Sequence, residues 1–340
     1  MGAVGGRIAH ILAADPVFTS VTVVHRDPKR VADQIAAWSG PFELRQGGPG
    51  DPVDADVTIT AVPSGARRAV RAALERGSHA VCAVDDPAEV RALLGLDARA
   101  RSRGLTVAVG TTMAPGLSCV LAARLRSEFD RVEEIHVASL GTGGPACARR
   151  HHSALTGVAL DWLEGEWHRR PGGSGRELVW FPEPVGGADC YRASLSDPLL
   201  LVPAFPGCRR ITSRLEATRR DRVTAWLPML RSPHPEGLVG ALRVEMRGWI
   251  GARTDTRILG AATAPAVVAA TVSATTARWI ATGRIGQPGA SGLAELVSEP
   301  GAFLHELADA GVTLSAFQGA DYDRAPTAGG TAGPSAPASP

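Results

Sequence analysis

The densest group of side chains able to do chemistry runs from Gly141 to His152 (GTGGPACARRHH): a glycine turn, then Arg149 and Arg150, then His151 and His152. Guanidinium forks clamp carboxylates, and imidazole exchanges protons near neutral pH. Adjacent residues on a helix point about 100° apart, so one of the two histidines is expected to face a site. The plain alternative is a solvated helix start with one packed histidine. A second cluster, Ala188 to Arg192 (ADCYR), follows the Trp180-Phe181-Pro182-Glu183-Pro184 turn. Its Asp189, Tyr191 and Arg192 could hold an amino-acid-like substrate, or form a strand edge with an ordinary Asp–Arg pair. A third, Leu227 to Gly237, is a proline-stiffened loop carrying Arg231, His234 and Glu236. If these groups act on a substrate, they must position the reacting carbon and manage a proton on nitrogen or oxygen. The catalytic candidates are therefore His151, His152, Asp189 and Tyr191, with Arg149, Arg150 and Arg192 as substrate ligands. Asp161 and Trp162 are expected on a helix beneath the first cluster.

The opening Gly2-Ala3-Val4-Gly5-Gly6 leads directly into an apolar helix and reads as the back half of G-x-G-x-x-G, with Gly2 as second and Gly5 as third glycine. In that motif the second glycine lets a pyrophosphate approach the backbone and the helix N-terminus donates N–H groups to it. A glycine-rich arm before an ordinary helix is the alternative. The first glycine would fall just before Met1, so the central strand is expected to be missing from this chain, with upstream codons supplying it. Where NAD enzymes place a ribose-binding carboxylate, this chain has His25 and Arg26, with Lys29 and Arg30 one turn on. Cations there favour NADP over NAD, although Asp27 could turn inward and NAD stays possible. Ala61, Val62 and Pro63, after the next strand of the sheet, complete the expected cofactor contacts.

Composition narrows the chemistry further. The chain has 36 basic and 34 acidic residues and a net charge of +2, which is no footprint of a nucleic-acid or membrane-surface binder. Lys29 is the only lysine. Schiff-base, pyridoxal-phosphate and Tyr-x-x-x-Lys mechanisms need a lysine in the site, and this one lies in the cofactor half. Five scattered cysteines without C-x-x-C suggest neither a disulfide framework nor a metal site, and fit a reducing cytoplasm. No signal peptide is read. The uncharged run Ile258 to Ala277 is Ala/Thr-rich and reads as a buried core helix rather than a membrane span. The expected partners are a small-molecule substrate and a second copy of the chain.

These residues need a scaffold, and the sequence describes one. Up to about residue 110, β-rich runs (Val21 to His25, Val57 to Val62, His79 to Val84, Leu105 to Val109) alternate with helical stretches (Val4 to Ala14, Pro28 to Trp38, Ser64 capping a helix through Arg76, Pro87 to Arg103). That alternation predicts an α/β Rossmann doubly wound parallel sheet, its first strand missing. After a helix at Leu117 to Phe129 the pattern changes. Ile211, Ser213, Leu215 and Ala217 alternate with Arg214 and Glu216, and Leu242, Val244 and Met246 with Arg243, Glu245 and Arg247, predicting half-buried antiparallel strands of a second, α+β mixed or antiparallel-sheet domain. Helices at Ala264 to Thr282 and within Leu293 to Ala310 close it. The expected division is a cofactor domain over 1–120, a substrate and dimerisation domain over 121–320, and a disordered tail over 321–340.

GAVGGRIA, VVHRDPKR, VTITAVPSG and especially VAVGTTMAPGLSCVLA resemble the saccharopine dehydrogenase-like family. The resemblance covers residues 1 to about 130, extends more loosely over Ala264 to Phe317, and leaves Leu140 to Asp255 unmatched. It implies a Rossmann domain joined to a mixed-sheet domain and an NAD(P)-dependent oxidoreductase of C–N or C–O bonds on a small carboxylate-bearing metabolite. A glucose-fructose and inositol dehydrogenase-like layout would carry a catalytic Glu-Lys-Pro after the fifth strand, where this chain has Asp85-Asp86-Pro87. A dinucleotide-binding protein without catalysis, acting as sensor or partner subunit, is the alternative function.

Overall fold

The computed structural model describes residues 1–317 except Ser39, Pro52, Leu230 and Arg231. The expected tail and Arg231 lie outside the described residues.

The first half follows the predicted alternation: α1 (Ala3–Ala14), β1 (Val21–His25), α2 (Lys29–Ala36), β2 (Phe42–Gln46), β3 (Val57–Thr60), α3 (Ala66–Glu75), β4 (His79–Cys82), α4 (Pro87–Leu94), α5 (Asp97–Arg101) and β5 (Thr106–Val109). β1 and β2 form one parallel pair, and β3, β4 and β5 run parallel in a second sheet. A doubly wound sheet holds a strand between the positions of β1 and β3; among the described residues none fills it, and the two sheets stay separate. Three expectations change in detail. Ser64 does not cap α3. The N-cap is Gly65 at φ 85°, where a left-handed backbone demands glycine, and the Gly65 and Arg67 amides donate instead to the Glu89 carboxylate at 3.0 and 3.4 Å. The single helix expected over Pro87 to Arg103 is broken into α4 and α5. The break lets the Asp97 carboxylate accept the Ala290 amide at 2.9 Å, tying a distant strand to this sheet. The short, mostly exposed β2 was not predicted.

The remaining elements are α6 (Leu117–Arg126), β6 (Arg131–Leu140), α7 (Pro145–Ala154), β7 (Val158–Leu163), β8 (Glu166–Pro171), β9 (Glu177–Trp180), β10 (Gly187–Arg192), α8 (Asp197–Ala204), β11 (Arg210–Glu216), α9 (Arg219–Thr224), β12 (Ala241–Ile250), β13 (Arg253–Ala262), α10 (Pro265–Ala281), β14 (Gly289–Ser291), α11 (Leu293–Leu296), α12 (Pro300–Asp309) and β15 (Leu314–Phe317). Nine strands make a mixed sheet in the order β15-β13-β12-β6-β11-β10-β9, with β7 and β8 branching from β11. Asp161 and Trp162 lie in β7, not in a helix; β7 pairs with β8 on one side, and Trp162 donates its indole N–H to the Cys208 carbonyl at 3.0 Å. β11 was expected to be antiparallel. It is so to β10 and β7 but parallel to β6, because the chain returns to β6 through α7, β7–β10 and α8 rather than by a hairpin. At the positions expected to alternate, Ile211, Ser213 and Leu215 of β11 and Leu242, Val244 and Met246 of β12 are buried, while Arg214, Glu216, Arg243, Glu245 and Arg247 are not.

The run Ile258 to Ala277 divides between β13 and α10. α10 is buried along most of its length, and no helix among the described residues is long and apolar enough to cross a membrane. One continuous core joins both halves, running from Val70 and Leu74 through Leu121 and Val244 to Val268 and Phe303. β14 pairs with β5, which ties the closing segment to the first sheet. The Met113–Ser118 turn joins the halves. Gly116 sits at φ 139°, where a Cβ would lie 2.1 Å from the Thr112 carbonyl oxygen, so the turn closes only on glycine. Beyond it, Ser118 donates to the fully buried Asp197 at 2.6 Å, and burial pushes the Asp197 carboxyl above its ordinary pKa.

Candidate functional site

Two helices begin side by side at the C-terminal ends of the parallel strands. α1 starts at Gly2 and α7 at Gly144, neither with a side-chain cap. A Cβ on Gly144 would lie 3.7 Å from the Ala3 Cβ, and one on Gly143 would lie 3.7 Å from Val4 Cγ2, so the two helix starts touch. Gly5 lets α1 close on the end of β3, where its Cβ would lie 3.6 Å from that of Ala61. Two positive dipole ends with unclaimed N–H groups, meeting where doubly wound folds bind ligands, suit a diphosphate. Ala61, Val62 and Pro63 leave β3 beside this junction. His25 ends β1 with its Nδ1 3.1 Å from the Asp27 amide, which donates to it, and Arg26, Lys29 and Arg30 are exposed beyond it.

A second group of charges lies just past β4. Asp85 follows that strand, while Cys147, Arg150 and His151 share one face of α7 at i, i+3 and i+4. The Arg150 guanidinium pairs with the Asp85 carboxylate. His151 Nε2 and Cys147 Sγ each lie 3.7 Å from Asp85 Oδ2, and 3.6 Å from one another. Ser196 holds the turn by donating to the Asp85 carbonyl at 2.7 Å. Burial opposes the charge on Asp85, but Arg150 and His151 outweigh it and hold the carboxyl well below the usual carboxylate range. Burial likewise opposes an imidazolium at His151, yet negative charge at Cys147 and Asp85 prevails and raises its pKa to about 9. Arg150 Nε and His151 Nδ1 are buried with no hydrogen-bond partner among the described residues. Unpaired donors out of reach of solvent are costly.

The structure brings together only part of the predicted set. Of the two histidines, His151 faces Asp85, while His152 Nε2 lies 2.9 Å from the Leu227 carbonyl and ties α7 to the chain after α9. Arg149 is exposed on the other side of α7. Asp189 pairs with Arg176 at 2.9 Å, and Arg192 donates to Asp161 at 2.9 Å. Tyr191 is buried in a separate apolar cluster under the Arg222 guanidinium. These three residues of β10 are engaged with other partners. From the third cluster, Glu236 forms an ion pair with Arg7 of α1, and the Pro235 carbonyl would lie 3.1 Å from a Cβ on Gly144, so the loop straps the junction of α1 and α7. Sequence reasoning missed Asp85 and Cys147 as site residues. The i, i+4 spacing of Cys147 and His151 was a usable signal; the approach of Asp85 was not visible along the chain.

No family model and no curated protein matches this chain. Among solved structures, apo saccharopine dehydrogenase (L-Glu forming) from Saccharomyces cerevisiae is similar with a TM-score of 0.69 at 15% identity, over 93% of this chain and 98% of that one. The likeness spans both halves, including the stretch between Leu140 and Asp255 that sequence motifs left unmatched. An oxidoreductase domain protein from Kribbella flavida (TM-score 0.43, 15% identity, 91% of this chain and 93% of that one) and a C. glutamicum DAP dehydrogenase in complex with DAP (TM-score 0.41, 12% identity, 83% and 96%) are similar too slightly to add to this.

Proposed function

From the saccharopine dehydrogenase-like fold of this chain, we propose that it is an oxidoreductase using a nicotinamide dinucleotide, with NADP preferred, at a C–N or C–O bond of a small carboxylate-bearing metabolite. The observation that carries this reading is the meeting of two uncapped helix starts, α1 and α7, beside the Asp85–Arg150–His151 group. The bound dinucleotide would supply or accept the hydride. The chain's own part is to receive the diphosphate on the amides that open α1 and α7 and to hold the ribose phosphate near Arg26. Arg150, through its unpartnered Nε, would take the substrate carboxylate, and the Asp85–Cys147–His151 group would stand beside the reacting nitrogen or oxygen. Residues 1–120, with β14 added, would form the cofactor part and 121–320 the substrate part, in a homodimer that sedimentation can check.

Fluorescence titration of the full chain with NADPH and NADH tests the core of this reading. Saturable binding that is lost in Gly144→Val is the expected result. No saturable binding of either nucleotide overturns it.

A further inference from the structure

We propose that Asp85, Cys147 and His151 are three ligands of a zinc-class divalent ion. The donor atoms form a nearly equilateral triangle: Sγ to Nε2 is 3.6 Å, Sγ to Oδ2 is 3.7 Å and Nε2 to Oδ2 is 3.7 Å. With zinc–sulfur bonds of about 2.3 Å and zinc–nitrogen or –oxygen bonds of about 2.0–2.1 Å, neighbouring ligand atoms on a tetrahedron stand about 3.3–3.6 Å apart. The triangle is one face of such a tetrahedron, within a few tenths of an ångström. At 3.7 Å the imidazole and the carboxylate lie beyond hydrogen-bond distance of one another, while the Cys147 thiol is within sulfur hydrogen-bond distance of both, and these are the contacts an ion would replace.

The frame is stiff. Cys147 and His151 are one turn apart on α7, and Asp85 is fixed by Ser196 on its carbonyl and by the neighbouring Asp86 carboxylate capping α4. One thiolate, one imidazole and one carboxylate suit zinc or cobalt better than magnesium or calcium. Two anionic ligands offset the charge of the ion, and the fourth position is left for a small molecule. Arg150 competes for the Asp85 carboxylate, so it should weaken the ion rather than help hold it. The sequence suggested no metal because no C-x-x-C is present; the third ligand comes from 62 positions away and joins only in the fold.

Binding of the ion is independent of the oxidoreductase reading; its use as a Lewis acid toward a substrate oxygen or nitrogen rests on that reading. The test uses the untagged full chain, stripped with a chelator and titrated with Co²⁺ in the absence of nucleotide. One equivalent should give the visible bands of tetrahedral cobalt together with a thiolate-to-cobalt charge-transfer band, and Zn²⁺ should abolish both. The other four cysteines are buried, so the charge-transfer band reports Cys147. Cys147→Ser should remove that band, Asp85→Asn should weaken cobalt binding at least about tenfold, and Arg150→Met should strengthen it. Absence of the band in the native chain overturns the site, as does its persistence in a Cys147→Ser chain shown folded by circular dichroism. NADPH titration on the same sample separates the two readings, because either ligand can bind while the other fails.

Discussion

At the scale of single residues, the decisive groups are those whose partners cannot be exchanged. Arg26 is exposed just past β1, so on the proposed function its influence should be on cofactor choice and not on folding. NADPH is expected to bind several-fold more tightly than NADH, with Arg26→Ala erasing most of the difference in a fluorescence titration; equal or better NADH binding by the native chain would contradict this. Asp85 and Arg150 are a different case, since their side chains are 21% and 17% exposed. Removing one member of a buried pair strands the other and costs about 3–5 kcal/mol; with this residual exposure, Arg150→Met should lower unfolding free energy by about 2 kcal/mol. Urea denaturation that shows no loss would mean the pair is solvated.

At the scale of elements, the two halves depend on short contacts that tolerate little. A Cβ on Gly116 would collide with the backbone of Thr112, so Gly116→Ala must distort the turn that starts α6; a loss of about 2–3 kcal/mol is expected, read as a lower Tm. The β4–β5 pair contains a titration that can be checked by pH. His79 Nδ1 accepts the Thr106 amide at 3.0 Å, and burial chiefly, opposed in part by Asp56, lowers the His79 pKa below its ordinary value. The unfolded chain takes up a proton near pH ~6.5 while the folded chain still resists it, so this contribution is complete above that pH and is lost as pH falls below it. Stability measured in urea should therefore drop between about pH 7.5 and 5.5, and His79→Asn, which keeps an acceptor, should flatten part of that drop. An identical pH slope in the variant would exclude His79 as its source.

For the whole molecule, the Pro235–Glu236 segment brings the second half against the first helix of the first. Its Arg7–Glu236 ion pair is exposed, so it should add little stability, less than about 1 kcal/mol. Its place across the starts of α1 and α7 predicts a kinetic effect instead, if nucleotide binds there as proposed. Glu236→Gln is expected to leave Tm unchanged and to speed nucleotide dissociation, measured by stopped-flow displacement. An unchanged off-rate would make the contact incidental.

Local patterns described most of the first half: β-rich runs of four to six residues alternating with amphipathic stretches, and glycines at Gly2 and Gly5, point to parallel strands because both signals are carried by neighbours in the chain. The same is true of α10 and of the alternating burial along β11 and β12. What the sequence could not state was which elements would meet. Asp161 and Trp162 became strand residues through pairing with β8, and β11 became parallel to β6 through a long excursion of the chain. His151 and His152 look equivalent in sequence, and only the position of Asp85 past β4 separates them. The Asp85–Cys147–His151 triangle joins α7 to the turn after β4, with Asp85 and Cys147 62 positions apart. Periodicity records which face of an element is buried, whereas the contacts between faces arise from the packing of the complete chain, and the chemistry of this site depends on those contacts.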